Sequence, residues 1–238
     1  MGPNEVVLDA LSNFWQEKHE SVRRNAVLGR DGLGVQARDA RHMHSLAAFV
    51  RQMFIDAGLD QNEVFIDRAI PGYFRRSKNW DIVAIHKGHL VGVVELKSQV
   101  GSEGNNGNNR IEEALGNSFD AGMAQELNRA FGALPVWTAF CVVFGSDPSL
   151  ARPVRTRGVP LFATDPVFEG MTYGDQWAIA VERFVQTGAY SAAWMAVTWL
   201  DATGLVDYSE PVPLATAETF WTQIEARVRF AKQALIHQ

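Results

Sequence analysis

Asp81, Glu95 and Lys97 are the residues whose types and spacing point to chemistry. Asp81 lies near the start of one apolar, extended stretch, and Glu95 and Lys97 lie near the end of the next. Lys87-Gly88 between them is a hairpin signal, because Gly accepts the positive φ of a tight turn. In an antiparallel pair turning there, residue 81 falls opposite residue 94 or 95, so Asp81 and Glu95 stand roughly 5 Å apart at Cβ. Two carboxylates that close repel unless a cation sits between them. Hard oxygen ligands suit Mg²⁺, which takes one or two carboxylates and keeps several waters. The Leu96 backbone carbonyl is a further candidate ligand. Strand side chains alternate, so Glu95, Lys97 and Gln99 share a face, where Lys97 can orient or deprotonate a metal-bound water.

The bland alternative is that Glu-x-Lys flanks a strand as surface charge. Three features weigh against it. The neighbouring segments, Ile82-Val83-Ala84-Ile85 and Leu90-Val91-Gly92-Val93-Val94, are apolar enough to be buried strands. Gln99 continues the charged face. The stretch Gly101-Ser102-Glu103-Gly104-Asn105-Asn106-Gly107-Asn108-Asn109-Arg110 that follows is too polar for a core. Asn105, Asn106, Asn108, Asn109 and Arg110, with Gln99, suit DNA recognition. Asn bonds bidentately to adenine, Arg to guanine, and Gly lets the backbone come close. A plain Asn/Gly turn is the competing reading. Arg75, Arg76 and Lys78 lead into the Asp81 strand and are candidates for backbone phosphates, or for an ordinary solvated face.

These residues need a scaffold. Helical spacing predicts helices over about 4–28, 40–57 and 110–132. Extended segments are Val64 to Ile70, Trp80 to His86, Leu90 to Gln99 and Val136 to Phe144. Strand, helix, strand in that order (90–99, 110–132, 136–144) predicts a parallel crossover. Val159–Phe162 reads as a short strand, and helices are expected near 173–187, 190–200 and 215–236. The tryptophans at 177, 194, 199 and 221 belong to that layer's core. The whole chain, residues 1–238, reads as a single α/β domain: a catalytic core over about 40–164 and a helical region over about 165–238.

Composition excludes several classes. The chain has 238 residues, 47% hydrophobic and 21% charged, enough for a sizeable core and unlike a disordered or collagenous chain. No apolar run approaches the roughly 18 residues of a membrane span, and none follows Met1 as a signal peptide requires. The single Cys141 allows no internal disulfide, which fits a reducing cytoplasm. His42 and His44 lack zinc-site partners, and Gly29 to Gly34 is not a dinucleotide-binding loop. The net charge of −5 is uneven. Residues 1–164 carry 18 bases and 18 acids, residues 165–225 carry Arg183 against nine acids, and residues 226–238 add three bases. Residues 18–51 alone hold seven bases against three acids. A polyanion therefore has a basic surface available despite the acidic total.

Asp81 with Glu95-Leu96-Lys97 on a hairpin after a helix resembles the PD-(D/E)xK nuclease pattern. The longer string Trp80-Asp81, Val94-Glu95-Leu96-Lys97-Ser98-Gln99-Val100-Gly101 and Asn105-Asn106-Gly107-Asn108-Asn109-Arg110-Ile111-Glu112-Glu113-Ala114 resembles the XhoI-type type II restriction endonucleases. The likeness extends through Pro153-Val154-Arg155 and Phe168 to Tyr173 into the C-terminal helices. Trp80 stands where the generic motif has Pro, a position that is not a ligand. The resemblance implies a restriction-endonuclease-like core, a mixed central sheet flanked by helices, with a helical C-terminal region. It implies a prokaryotic, cytoplasmic homodimer that uses Mg²⁺ to cut both DNA strands at a short palindrome of the CTCGAG kind. The expected ends are 5′-phosphate and 3′-hydroxyl, and a cognate DNA methyltransferase belongs to the same restriction-modification system. Asp81, Glu95 and the Leu96 carbonyl would hold the metal, and Lys97 would position the attacking water. Glu20 and Glu63 are candidates for a third carboxylate. The rivals are a repair or recombination nuclease of the same fold, which cuts structures rather than sequences, and a DNA-binding protein whose catalytic site has lapsed.

Overall fold

The computed structural model describes residues 3–27, 43–99, 107–146, 150–154 and 161–237. Its centre is a six-stranded sheet in sequential order: β1 (Val64–Pro71), β2 (Ser77–His86), β3 (His89–Gln99), β4 (Thr138–Gly145), β5 (Ala192–Leu200) and β6 (Val206–Ser209). β1, β2 and β3 pair antiparallel, β3–β4 and β4–β5 pair parallel, and β5–β6 is antiparallel again. Among the described residues, five α-helices flank it: α1 (Pro3–Val27), α2 (His44–Asp56), α3 (Gly107–Asn128), α4 (Tyr173–Gln186) and α5 (Ala217–Ala234).

Each face of the sheet buries a separate apolar layer. On one, Leu11 and Phe14 of α1, Leu46, Val50 and Phe54 of α2, and Phe220, Ile224 and Val228 of α5 cover Val91, Val94 and Leu96 of β3. On the other, Ala114, Ala121 and Ala124 of α3 and Trp177, Val181 and Phe184 of α4 cover Val93 of β3 and Phe140, Val142 and Phe144 of β4. β3 therefore lies between two helical layers, and its apolar residues face both ways. The helices start where capping chemistry allows: Thr172 and Asp175 form a capping box for α4, and Thr216 and Thr219 form one for α5.

The hairpin that carries the candidate site is built as its sequence implies. Lys87 (φ +49°) and Gly88 (φ +79°) both take left-handed conformations, the tight two-residue turn whose twist matches the flanking strands. Gly92 is required for a different reason. A Cβ there would come within 2.6 Å of the Trp137 ring, so glycine lets that indole lie directly on β3.

The helices expected over 4–28, 40–57, 110–132, 173–187 and 215–236 have counterparts in α1 to α5, and the crossover through α3 joins parallel strands. The helix expected over 190–200 is instead β5, paired along β4. That segment, Ala192-Ala193-Trp194-Met195-Ala196, is buried on both faces, so it has no polar alternation to mark it as a strand. The short β6 hairpin partner was also not anticipated. Trp194 consequently packs from a strand, edge-on to Phe49 of α2 at 5.8 Å between centroids, while Trp177 packs from α4. Of the strand expected over Val159–Phe162, Leu161 and Phe162 lie in a bend, and Val159 and Pro160 lie outside the described residues. Residues 28–42, with the loop at 29–34 and His42, also lie outside them. No described helix is long and apolar enough to cross a membrane.

Candidate active site

β2 and β3 bring Asp81 and Glu95 together through their register. Ile82 pairs with Val94, so Asp81 falls opposite Glu95 one position further on. Asp81 Oδ2 accepts a 2.6 Å hydrogen bond from the Leu96 backbone N–H, which ties the carboxylate to the neighbouring strand. Glu95 is 3% exposed, and each of its oxygens faces an ammonium: Oε1 lies 2.6 Å from Lys97 Nζ and Oε2 lies 2.6 Å from Lys78 Nζ. Oε2 makes no well-directed hydrogen bond despite that ionic contact. Lys97 also reaches Glu113 Oε1 of α3 at 3.2 Å.

Burial and charge set the protonation of this cluster. Burial, followed by the nearby Glu95 charge, pushes the Asp81 carboxyl up to about 6, against the opposing pull of the Leu96 N–H, Lys97 and Lys78. Lys97 moves the other way from what burial alone would do: Glu95 and Glu113 hold its ammonium above the ordinary range. Lys97 is thus a cation, suited to orienting water or phosphate oxygen rather than to removing a proton. Two further groups feel the site. Burial and then the Glu95 and Glu113 charges drive the Tyr190 phenol far up, and its hydroxyl donates to the Ala114 carbonyl of α3 at 2.8 Å. Burial and the Asp81 charge also raise the Cys141 thiol, so that buried cysteine is an inert core residue.

The arrangement fits a divalent cation. It has two carboxylates on adjacent strands, one of them pushed toward its neutral form by burial and by the charge of the other. It also has a buried carboxylate oxygen without a hydrogen bond. Among the described residues no cluster of three or more His, Cys, Asp or Glu side chains is placed to hold a metal. Among the described residues, neither Glu63 nor Glu20 belongs to a carboxylate cluster placed to hold a metal. Glu63 caps a short 3₁₀ turn and pairs with His86 at 2.8 Å toward the turn end of the hairpin, and Glu20 sits exposed on α1.

The other expected contact residues scatter. Lys78 sits inside the cluster on Glu95, not on an open surface. Arg75 is held by α3, with Nε 2.8 Å from Asp120 Oδ2 and a guanidinium N–H donated to Asn117 Oδ1 at 2.8 Å. Arg76 is exposed next to it. Gln99 is 7% exposed, and its Oε1 has no partner among the described residues, so it is buried rather than on an outer face. Asn108, Asn109 and Arg110 lie in the first turn of α3, not in a loop, and Asn108 accepts a 2.6 Å hydrogen bond from Gln176 of α4. Asn105, Asn106 and the remainder of that stretch lie outside the described residues.

Sequence spacing missed Glu113. Its signal was its place on the second turn of the helix that follows β3, where a parallel crossover must bring the helix start back over the strand end. α3 is anchored by polar contacts as well as by its alanines. Asp120 accepts from the Tyr73 and Phe74 N–H groups at 2.8 Å each, and Gln125 bonds Phe131, Gly132 and Leu134.

A mixed sheet with helices on both faces, and an acidic pair with lysines at the end of its central hairpin, define an α/β protein with a restriction-endonuclease-like core. Comparison with known proteins agrees. The family model described as restriction endonuclease XhoI matches residues 28–210, a span that includes Asp81, Glu95, Lys97 and Glu113. The chain is 37% identical over 175 residues to the type II restriction enzyme AbrI of Azospirillum brasilense, covering 69% of this chain and 78% of that one. It is 29% identical over 183 residues to the type II restriction enzyme XhoI of Xanthomonas vasicola, covering 75% and 73%. It is 28% identical over 166 residues to BstVI of Geobacillus stearothermophilus, covering 66% and 74%. No solved structure matches it. The chain belongs to the XhoI restriction endonuclease family, and by that membership it is an enzyme of the restriction class.

Proposed function

We propose that this protein is a homodimeric, Mg²⁺-dependent type II restriction endonuclease with a PD-(D/E)xK-type site, cutting both strands of duplex DNA at a short palindrome of the CTCGAG kind. The observation that carries this reading is the pairing of half-buried Asp81 with buried Glu95 at the end of the β2–β3 hairpin, with Lys97 2.6 Å from Glu95. Asp81 and Glu95, with the Leu96 carbonyl, would hold the ion. Once bound, the ion supplies positive charge that offsets charge building on the phosphate and lowers the pKa of water.

The chain's own residues supply position. The Leu96 N–H holds one Asp81 oxygen, so the carboxylate keeps its orientation toward the other strand. Lys97 has three N–H donors. One is directed at Glu95 and one at Glu113, which fixes the ammonium and leaves a third donor for the attacking water or a phosphate oxygen. Attack of that water on phosphorus, with loss of its proton to solvent, breaks the bond to the 3′-oxygen, which takes a proton from solvent and leaves as hydroxyl, while the phosphate stays on the 5′ end. Gln99 beside the catalytic face, and Asn108, Asn109 and Arg110 at the start of α3, are the described side chains assigned to DNA contact. Arg76 is assigned to the phosphate backbone. The cognate methyltransferase is part of the same reading, because a host that makes such an enzyme must protect its own sites.

Lys97→Ala tests the assignment. The variant should bind a CTCGAG duplex in Ca²⁺ as the parent does, yet cut it in Mg²⁺ at least a hundredfold more slowly. A variant that cuts at the parental rate would remove Lys97 from the mechanism.

A further inference from the structure

We propose that Lys78 is a displaceable counter-ion of Glu95, which gives way when the divalent ion binds and thereby links ion loading to the arrival of DNA. The inference rests on the reading of Asp81 and Glu95 as the ion site and extends it to a residue that the Asp, Glu-x-Lys pattern does not contain.

Glu95 is buried between two ammonium groups, with Lys97 Nζ 2.6 Å from Oε1 and Lys78 Nζ 2.6 Å from Oε2. Both lysine side chains are themselves largely covered, at 18% and 13% exposed. Their other contacts differ in kind. Lys97 has a second carboxylate, Glu113, at 3.2 Å. Among the described residues, the close contacts of Lys78 besides Glu95 are neutral: the Asn79 carbonyl at 2.9 Å and the face of the Trp80 ring at 4.8 Å.

A doubly charged ion ligated by Glu95 repels both ammoniums at short range, and a buried site screens that repulsion poorly. Lys97 stays, because Glu113 still neutralises it. Lys78 loses its one ion-pair contact among the described residues, and Asp81, the other carboxylate it feels, would be taken up by the same ion. Its position three residues before Asp81 on the same strand keeps it beside the site, and a DNA phosphate offers the anion it then lacks. Without DNA, ion binding must break the Lys78–Glu95 contact uncompensated, so Lys78 weakens it. With DNA present, the freed ammonium has a phosphate to pair with, so ion and DNA each strengthen the other's binding, as linkage requires.

The test is Mn²⁺ binding to the full-length protein, read from the electron paramagnetic resonance of the free ion, with and without a CTCGAG duplex whose scissile phosphates are replaced by uncleavable analogues. Lys78→Met should bind Mn²⁺ about tenfold more tightly than the parent in the absence of DNA, and adding duplex should tighten it far less than it tightens the parent. Lys78→Arg, which keeps the charge, should behave like the parent. Lys78→Gln provides the same comparison should the methionine variant fail to fold, as judged by circular dichroism and thermal melting. Equal or weaker Mn²⁺ affinity in both neutral variants would overturn the role assigned to Lys78. Asp81→Asn separates the two levels. It should abolish the tight Mn²⁺ site, and an unchanged affinity would overturn the ion site itself, and the proposal with it.

Discussion

Asp120 ties the segment before β2 to α3 through its carboxylate. Its side chain is buried, which by itself raises its pKa. The N–H groups of Phe74 and Tyr73 and the guanidinium of Arg75 outweigh that and hold it below the usual carboxylate range. A carboxyl whose folded pKa is depressed adds stability above its unfolded value, near 4, and that stability disappears as pH falls through the folded value. Asp120→Asn should therefore lower stability by about 1–3 kcal/mol at pH 7, since a buried, charge-assisted set of hydrogen bonds is weakened. Denaturant melts across pH should show the difference shrinking below about pH 4; a difference that persists there unchanged would contradict the assignment. At this scale Asp81, Glu95 and Lys97 were legible in sequence because period-two alternation and a marked turn fix cross-strand neighbours. Lys78 and Glu113 were not read as members of the cluster. Their places depend on long flexible side chains and on how α3 docks, which spacing along one strand does not encode.

The elements that hold these residues are the β2–β3 hairpin and the α3 crossover. The hairpin depends on Gly92, above which Trp137 lies so closely that no Cβ fits. Gly92→Ala should cost about 1–3 kcal/mol by overpacking, seen as a lower melting temperature, with cleavage reduced because β3 carries both Glu95 and Lys97. An alanine variant with parental stability and rate would show that the indole moves aside freely. Most elements were readable in sequence, because the helices carry one apolar stripe and the β2–β3 hairpin announces its turn. β5 was not. A strand covered by α5 on one side and α4 on the other is apolar over Ala192–Val197, and its alanines and methionine favour a helix as readily. The first turn of α3 was misjudged in the opposite sense, since Gly107-Asn108-Asn109 has the composition of a turn yet opens a helix.

Over the whole molecule, the charge distribution and the proposed dimer matter most. The acidic stretch from residue 165 to 225 includes β5 and β6 at the sheet edge and α4 on one face, so its charge is spread over strands and helices, not over a helical layer alone. A chain of 26.4 kDa that cuts both strands of a palindrome as a two-fold pair should sediment as a dimer of about twice that mass. Sedimentation equilibrium on DNA gives the check, and a monomer alone at saturating duplex would contradict the symmetric reading. The central claim is that Asp81, Glu95 and Lys97 form a metal-assisted, site-specific DNA-cutting centre, and mapping the ends produced on a sequenced plasmid tests it most directly. With Mg²⁺ the parent should produce discrete fragments whose ends all fall within one short palindromic sequence and carry 5′-phosphates, and Glu95→Gln should leave the plasmid intact. Ends scattered without a common sequence, or the same fragments from the Glu95→Gln protein, would contradict it.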